Sequence, residues 1–340
     1  MKKILYLGGC FQAEFSMARS FRDAGNQFVA YIDPKAYEAY WAHDKYIQNG
    51  FIIPDYLKWI SQEELQLAIE LLKPDVVIHR LYQYNPMMHS NSLTICKKLG
   101  IPFVYYKIET SGSDDPKTDT RLEDADLILY AHNCNDILIN ELQAKGKKTS
   151  FYPYGVSNFE HSMPEIKKTI NVAAFGHIRD YDWNRTFSLS FFLRGLQKIG
   201  EPLHVFGNWT WTPWIEDFHK WIVVHPPFRY DEATRVMNQC KVAINFETLH
   251  NVEGAYSHKM FQTIGCGVPT LTIRKESVID LLRSHTIIVR DPIHVSRWVD
   301  GLIHNGPLRY SLGRHAERYI HEKLDWWSRF DKIMKVRGIW

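Results

Sequence analysis

Residues 243–272, AINFETLHNVEGAYSHKMFQTIGCGVPTLT, predict a strand, a loop, a helix and a second strand in close succession. Ser257 is a favourable N-cap residue for the helix, because its hydroxyl can accept a hydrogen bond from an amide of the first turn. The apolar face of this helix consists of Met260, Phe261 and Ile264. Residues 265–267 and Pro269 end the helix and lead into the next strand. Because parallel strands need a crossover of this kind, the stretch indicates an α/β fold.

The same alternation of short apolar runs and helix-like stretches continues in both directions. The predicted strands are 3–7, 27–32, 76–79, 103–106, 127–130, 171–175, 203–206, 221–224, 241–245, 270–273 and 286–289. A loop rich in proline and polar residues follows Tyr152 and runs to Pro164, and the pattern of strand and glycine turn then restarts. The sequence therefore predicts two Rossmann-like domains, 1–155 and 156–311, that face a central cleft, and a closing helix at 312–340.

The composition excludes several classes of protein. The chain has 340 residues, of which 45% are hydrophobic and 23% charged, and this balance argues against disorder, collagen and coiled coil. Its 41 Lys and Arg against 38 Asp and Glu leave a formal net charge of +3. A polyanion such as nucleic acid normally requires a strongly basic face, so it is disfavoured as the main partner.

The cysteines and the apolar runs favour a cytoplasmic protein. The five cysteines lie far apart and include no C-x-x-C pair, which indicates neither a disulfide framework nor a zinc site. The apolar run after Met1 is shorter than the core of a signal peptide, and no run approaches the ~18 apolar residues of a membrane span. We therefore expect no transmembrane segment.

Four features of the second half follow one another in a fixed order. They are Phe175-Gly176 with Arg185 downstream, Phe206-Gly207 with Trp209 nearby, the strand from Val242 to Asn245, and Ser257-His-Lys-Met-Phe-Gln262 before Cys266-Gly267. Over about residues 154–290 this order resembles the retaining glycosyltransferases of GT-B fold, and within them the CgeB-like (spore maturation protein) group. The resemblance implies a C-terminal helix that crosses back onto the first domain. It also implies transfer of a sugar from a nucleotide-diphosphate donor to a hydroxyl acceptor, with retention and without a metal.

The resemblance also implies a donor site in the second domain. The residues expected to bind the nucleotide or its sugar are Gly176, Arg179, Arg185, Phe228, Tyr230, Ser257, His258, Lys259 and Gln262. Lys259 stands where the family has Arg, which keeps the positive charge but loses the bidentate fork for phosphate oxygens. Gln262 stands where the family has a Glu that accepts hydrogen bonds from ribose hydroxyls, so Gln262→Glu is expected to strengthen that contact. Glu253 is one residue out of step with a family carboxylate and is expected near the sugar.

Catalytic candidates are Lys259, Arg185, Glu253, His79 and Glu109. The cations would stabilise the departing diphosphate, and His79 and Glu109 end strands at the expected cleft edge of the acceptor domain. In a retaining transfer, an oxygen of the leaving phosphate can itself take the acceptor proton, so no protein base is required. With 16 His in the chain, a packed histidine is the competing interpretation of His79. His132 is a further candidate on the same grounds.

Other features have simpler interpretations. Asp114 and Asp115 are adjacent carboxylates that favour a turn or an acceptor contact rather than a metal site, and no Asp-x-Asp motif of metal-dependent transferases occurs. We expect no cofactor other than the nucleotide-sugar co-substrate. The tryptophans Trp209, Trp211 and Trp214 are expected to pack or to stack on an acceptor. The alternative interpretation of Arg179 and Arg185 is that they form surface ion pairs with Asp180 or Asp182.

Three other functions are considered. A nicotinamide-dependent oxidoreductase is disfavoured because Gly8-Gly-Cys-Phe-Gln12 lacks the G-x-G-x-x-G order. A non-catalytic nucleotide or sugar binder stays open because Gln262 replaces a carboxylate. A transferase acting on modified phage-type DNA also stays open, because Lys145, Lys147 and Lys148 could contact a phosphate backbone. The near-neutral composition favours a glycan or small-molecule acceptor over DNA.

Overall fold

The computed structural model describes residues 1–8, 12–32, 57–59, 62–80, 86–108, 122–132, 137–176, 183–207, 216–228, 230–246, 256–273 and 276–340. At some of these positions, among them Arg185 and Tyr230, the description covers the backbone alone. The described residues divide into two compact units. The first comprises 1–153 and 326–340, and the second comprises 154–325.

The described strands are β1 (Lys3–Leu7), β2 (Gln27–Ile32), β3 (Leu57–Trp59), β4 (Val76–Arg80), β5 (Phe103–Lys107), β6 (Leu127–Tyr130), β7 (Thr149–Phe151), β8 (Ile170–Phe175), β9 (Leu203–Phe206), β10 (Ile222–His225), β11 (Cys240–Asn245), β12 (Thr270–Ile273) and β13 (Ile287–Val289). They form one sheet in each unit, of order β3-β2-β1-β4-β5-β6-β7 and β10-β9-β8-β11-β12-β13. All pairs are parallel. The predicted α/β class is confirmed.

The described helices are α1 (Gln12–Asp23), α2 (Gln62–Leu72), α3 (Pro86–Leu99), α4 (Ile137–Ala144), α5 (Trp183–Gln197), α6 (Ala233–Asn238), α7 (His258–Gly265), α8 (Glu276–Leu282), α9 (Pro292–His304), α10 (Gly306–Leu324) and α11 (Trp326–Val336). Among the described residues, no helix combines the length and the apolar character that a membrane crossing requires.

The order of strands places a switch point in each sheet. In the first unit the chain builds outward from β1 to β3 and then returns to add β4 on the other side of β1. In the second unit β8 and β11 have the same relation. Ligands of open α/β sheets bind beyond the carboxyl ends of the strands at such points, because the connecting loops diverge there. The carboxyl ends of β1, β4, β8 and β11 are therefore the positions to examine for function.

The cores consist of the apolar runs from which the strands were predicted. Val172, Val242, Leu271 and Val289 of the second sheet are completely buried against α5 and α9. The two helices approach closely at Gly195, where an added Cβ would lie 2.6 Å from the Cβ of Val295. Burial on both faces explains why these strands appear as continuous apolar runs rather than as alternating patterns.

The sequence missed two strands, β3 and β7. Each has three residues and lies at an edge of the first sheet. Such a short edge strand is defined by hydrogen bonds to its single neighbour, here β2 or β6, and three residues are too few to show a period. The eleven strands that were predicted all occur, with ends that differ by no more than one residue.

The C-terminal segment differs from the single helix predicted at 312–340. Helix α10 begins six residues earlier, at Gly306, where the Asn305 side chain accepts a hydrogen bond from the amide of Leu308 and a proline occupies the first turn. The helix stops at Asp325, whose backbone is extended and bridges Val156. Helix α10 belongs to the second unit, and only the part from Trp326 onward belongs to the first. The predicted return of the C-terminal helix to the first domain is thus confirmed for α11.

Aromatic packing holds α11 on the first unit. Trp326 and Phe330 are completely buried, and the rings of Phe21 and Phe330 lie 5.1 Å apart. The indole of Trp326 donates to Ser16 Oγ at 3.1 Å, and the hydroxyl of Tyr152 donates to the Trp326 carbonyl at 2.7 Å. This contact buries the largest side chain of the segment and satisfies its polar atom.

We predict that Trp326→Ala lowers the free energy of unfolding by about 3–5 kcal/mol, because it leaves a large cavity and removes the hydrogen bond to Ser16. Val336→Ala on the same helix is the control, since Val336 is 74% exposed, and we expect a change below about 0.5 kcal/mol. Urea unfolding of both variants measures the difference. Equal stabilities would show that α11 does not contribute to the core of the first unit.

Candidate functional site

Two glycines shape the carboxyl edge of the second sheet. Gly176 follows β8 with φ +142°, and Gly207 follows β9 with φ +151°, a backbone region that other residues rarely adopt. The amide of Gly176 donates to the carbonyl of Phe206 at 3.0 Å, and the amide of Gly207 donates to the carbonyl of His225 at 3.4 Å. Each glycine therefore lets the chain turn away from the sheet at the end of its strand.

Aromatic rings cover the same edge. Phe206 stacks on Phe175, with centroids 5.5 Å apart, and on His225, with centroids 4.4 Å apart. Phe228 packs edge-on against Phe175 at 5.9 Å and against Phe206 at 6.0 Å. We call Phe175, Phe206, His225 and Phe228 the aromatic floor. It is partly accessible, because the side chains of Phe206, His225 and Phe228 are only partly buried.

A second histidine extends this floor. His204 Nδ1 lies 2.8 Å from His225 Nε2, and the two rings stack with centroids 5.1 Å apart. Burial lowers the pKa of both imidazoles, and the nearby His225 lowers that of His204 further, while Glu201 opposes this shift. Both shifts disfavour the charged imidazolium, so the pair contributes mainly ring surface.

Helix α7 begins beside this floor. Ser257 is its N-cap residue, as predicted, and has the extended backbone of that position, but its hydroxyl makes no capping hydrogen bond. The first turn closes through the Met260 amide, which donates to the Ser257 carbonyl at 3.1 Å. An N-terminus without a side-chain cap leaves amide groups and the positive end of the helix dipole available for an anion.

Lys259, in the first turn of α7, places a cation in this region. Its side chain is partly buried, and Nζ lies 5.9 Å from the centre of the Phe228 ring. Burial lowers the pKa of the ammonium group from 10.5 to about 7. Among the described residues no carboxylate pairs with it. A cation near a helix N-terminus is unfavourable unless an anion is present, so this arrangement is suited to an anionic ligand.

Gln262 lies one turn further along α7 and is 1% exposed. Its Nε2 donates to Glu160 Oε1 at 3.4 Å, and its Oε1 has no hydrogen-bond partner among the described residues. Glu160 is equally buried, and its Oε2 accepts from the amide of Ser157 at 2.9 Å and from the Ser157 hydroxyl at 2.8 Å. The Gln262 amide thus faces a buried carboxylate.

Glu160 is a residue that the sequence analysis missed. The signal was the pattern Ser157-x-x-Glu160, in which a serine and a glutamate satisfy each other's neighbouring backbone groups as in a capping box. Here the pattern closes a turn that no helix follows. A capping box ordinarily marks the start of a helix, so the pattern alone does not indicate this turn.

The segment 154–162 supports the whole length of α7. Tyr154 packs on His258 at its beginning, with ring centroids 5.4 Å apart. An added Cβ at Gly265, its last residue, would lie 3.0 Å from Val156 Cγ1 and 3.1 Å from Glu160 Cβ. The segment is in turn held by Glu317 of α10, whose Oε1 accepts from the amide of Ser162 at 2.9 Å.

The first unit has a different polar group at its switch point. His79, near the end of β4, is 5% exposed and stacks on Phe103 and Tyr105 with centroids 6.0 and 5.9 Å away. This environment favours the packed-histidine interpretation.

The next residue, Arg80, forms a buried ion pair with Glu14 of α1, which also accepts from the Tyr6 hydroxyl at 3.2 Å. An added Cβ at Gly8 would lie 2.9 Å from Arg80 Cβ, so only glycine fits there. The cation at this switch point is therefore already neutralised within the protein.

Several predicted residues cannot be placed. Outside the described residues lie Glu253, Glu109, Arg179, Asp114, Asp115, Trp209, Trp211 and Trp214. For Arg185 in the first turn of α5, and for Tyr230, the structure describes the backbone only. His132 is partly buried beyond the end of β6. Within the described ranges, no three His, Cys, Asp or Glu side chains are arranged to hold a metal ion.

A family model covers part of the chain. Residues 185–335 match the model described as glycosyl transferase-like, and this segment contains α7 and α10. A search of curated proteins finds no match. The segment 185–335 is therefore similar to that family.

Solved structures match nearly the whole chain at low identity. A mutant of S. aureus TarM in complex with fondaparinux, alpha-GlcNAc-glycerol and UDP is 8% identical, with TM-score 0.62 over 99% of this chain and 100% of that one. T4 phage BGT with its UDP-glucose substrate is 14% identical, with TM-score 0.61 over 98% and 99%. The N-terminal domain of Candida albicans trehalose-6-phosphate phosphatase is 11% identical, with TM-score 0.64 over 99% and 97%.

The chain has the GT-B fold. The fold class expected from the sequence resemblance is thereby confirmed. Because one fold supports several reactions, the likeness does not assign an activity, and the chemistry has to be argued from the site. Within the second unit, the GT-B fold places the aromatic floor and α7 at the carboxyl edge of the sheet.

The pairing of Gln262 with Glu160 implies a pH-dependent loss of stability in Gln262→Glu. The variant brings two carboxylates together in a buried place, so one of them takes a raised pKa. For an acid whose pKa is raised by folding, stability is retained at low pH and lost as pH rises from the unfolded value of about 4.3 through the folded value. We predict that the variant nearly equals the parent at pH 4 and is about 1–3 kcal/mol less stable at pH 8.

Chemical denaturation of the variant and the parent across this pH range measures the difference. Gln197→Glu is the control, since Gln197 is exposed at the end of α5. A stability difference independent of pH would show that residues 160 and 262 do not interact.

Proposed function

We propose that the chain is a glycosyltransferase that moves a sugar from a nucleoside-diphosphate sugar to a hydroxyl acceptor. The observation that carries this proposal is the N-terminus of α7, where Lys259 lacks a carboxylate partner among the described residues and no side chain caps the first turn. The glycosyl transferase-like match over 185–335 supports it, because that segment contains this helix. The family match and the desolvated cation are independent observations.

The chemistry of transfer explains why such a site is needed. The bond between the sugar C1 and the β-phosphate oxygen breaks, and a bond between C1 and the acceptor oxygen forms. Negative charge grows on the departing diphosphate, so amide groups, the helix dipole and a nearby ammonium lower the barrier when they are already in place. The acceptor proton passes to the leaving phosphate oxygen in the retaining reaction that we propose, which then needs no protein base.

The remaining donor-site residues have roles that we propose from the resemblance. Gly176 allows the nucleotide to approach the backbone after β8, and Phe228 and Tyr230 line the base. Arg179 and Arg185 assist Lys259 at the phosphates, Ser257 and His258 contribute first-turn amides, and Glu253 lies near the sugar. His79 and Glu109 belong to the acceptor side. In this proposal the enzyme is a cytoplasmic member of the CgeB-like group and requires no metal.

A modified-DNA acceptor gains no support from the lysine strip of the first unit. Lys145 pairs with Glu123, and Lys148 Nζ donates to the carbonyl of Arg337 at 2.9 Å. Lysines engaged in this way offer less charge to a phosphate backbone than unpaired ones. A glycan or small-molecule hydroxyl is therefore the acceptor class that we propose.

A thermal-shift panel with UDP, GDP, ADP, CDP and dTDP, followed by the sugar conjugates of the best ligand, tests the proposal. We expect one base to raise the melting temperature, since a ligand at 100 times its dissociation constant adds about 2.7 kcal/mol to the native state. Release of the nucleoside diphosphate from its sugar conjugate separates an enzyme from a binding protein. Silence across the panel would contradict the proposal.

Lys259 makes a prediction about pH. The ammonium must be protonated to hold a diphosphate, and its pKa in the empty protein is about 7. A bound anion raises this pKa, so affinity falls by roughly tenfold per pH unit above 7 until the pKa of the complex is reached. Isothermal titration of the parent with UDP between pH 7 and 8.5 measures this slope.

Lys259→Ala is expected to weaken UDP binding by about 10- to 100-fold at pH 7 and to abolish the slope. Lys198→Ala, an exposed lysine of the same unit, is the control and should leave both unchanged. An unaltered slope in Lys259→Ala would assign the titration to another group and remove Lys259 from the phosphate site.

A further inference from the structure

Gln262 presents an unusual combination of burial and incomplete hydrogen bonding. The residue is 1% exposed, its amide nitrogen donates to Glu160, and its amide oxygen lacks a hydrogen-bond partner among the described residues. Buried polar atoms are nearly always paired, because leaving one unpaired is costly. The Gln262 oxygen is therefore suited to accept a hydrogen bond from a group on a bound ligand.

The orientation of the Gln262 amide follows from its neighbour. One oxygen of Glu160 already accepts two hydrogen bonds from Ser157, and an ionised carboxylate has no proton to donate. The group that Gln262 turns toward Glu160 must therefore be its nitrogen. Because the nitrogen and oxygen of an amide diverge by about 120° from the same carbon, the oxygen has to point away from Glu160.

The position of Gln262 on α7 limits what can reach its oxygen. Residues three apart share a helix face, and the rise between them is about 4.5 Å, so Gln262 lies one step behind Lys259. In a nucleoside diphosphate held by Lys259, the hydrogen-bond donors within that distance of the phosphates are hydroxyl groups. A neutral oxygen that can only accept selects for such a hydroxyl.

We propose that Glu160 is a positioning residue of the donor site, which fixes the Gln262 amide so that its oxygen accepts a ribose hydroxyl of the nucleotide. This inference rests on the proposed nucleotide site. It adds a residue outside α7 that determines the preference for ribose in the nucleotide. In this arrangement Glu160 supplies the negative charge, and Gln262 supplies the contact with the ligand. The site therefore prefers ribonucleoside over deoxyribonucleoside diphosphates.

Two variants change this pair while keeping hydrogen bonds between the two positions. In Glu160→Gln the oxygen of residue 160 still accepts from the Ser157 amide, so its nitrogen faces Gln262 and turns the Gln262 oxygen toward residue 160 and away from the ligand. In the double variant Glu160→Gln with Gln262→Glu, the oxygen of residue 160 still accepts from Ser157 and its nitrogen donates to the carboxylate at 262. The double variant therefore restores a unique acceptor at position 262.

The experiment measures the affinities of UDP, 2′-deoxy-UDP and 3′-deoxy-UDP by calorimetry at pH 7. We expect the parent to bind UDP about tenfold more tightly than one of the two deoxy analogues. That analogue is the one whose missing hydroxyl leaves the buried Gln262 oxygen unpaired. Glu160→Gln should reduce this preference to about threefold or less. The double variant should return it to about tenfold.

Glu317→Gln is the matched control. Glu317 is also a buried glutamate that supports the segment 154–162, through its hydrogen bond from the amide of Ser162, but none of its described contacts is with Gln262. We expect a loss of stability with the preference for UDP unchanged. A drop in the preference equal to that of Glu160→Gln would reduce Glu160 to a purely structural role.

The outcomes separate the two proposals. If UDP binds with the predicted dependence on Lys259, but Glu160→Gln keeps the preference of the parent, the nucleotide site stands and the role of Glu160 is wrong. If Glu160→Gln fails to fold, the double variant still decides, since UDP binding without a restored preference overturns the inference. If none of the three nucleotides binds to the parent, the nucleotide site and the role of Glu160 both fail.

Discussion

The packing of helix α7 is the constraint on which the candidate site depends. The helix has eight residues, too few to be stable alone, so burial of Met260, Phe261 and Ile264 must hold it. The segment 154–162 supports it from Tyr154 at one end to the close contact at Gly265 at the other. Because the helix is fixed by its flanks, its first turn has no structural need of a cap. An uncapped terminus in this setting is a fixed group of donors for an anion.

The two switch points show how charge distinguishes similar frameworks. At each, a glycine follows the strand, Gly8 after β1 and Gly176 after β8, and each has a basic residue in the same unit. In the first unit Arg80 is paired with the buried Glu14, so its charge is compensated within the protein. In the second unit Lys259 has no such partner among the described residues. Since a buried charge requires compensation, the second unit is the one whose chemistry calls for an anionic ligand.

The sequence predicts most of the fold, because buried parallel strands leave continuous apolar runs and α7 has a recognisable beginning and end. It predicts less at the edges of the sheets and at the interruption of the C-terminal helices. Strand β7 depends on pairing with β6, and the interruption at Asp325 depends on a bridge to Val156, so neither leaves a local pattern. The candidate site shows the same division. Lys259 and Phe228 were both predicted, and their contact is observed, whereas the pairing of Gln262 with Glu160 joins residues 102 positions apart.

A lysine rather than an arginine at position 259 changes more than the geometry of a contact with an anion. Arginine would retain its charge in this environment, whereas burial brings the pKa of Lys259 to about 7. The empty site can therefore release part of its charge and avoid some of the cost of burying it. An arriving diphosphate restores the proton, so binding and protonation are coupled. The same coupling reduces the electrostatic penalty of the empty state and makes affinity sensitive to pH near neutrality, a property that an arginine at this position would not provide.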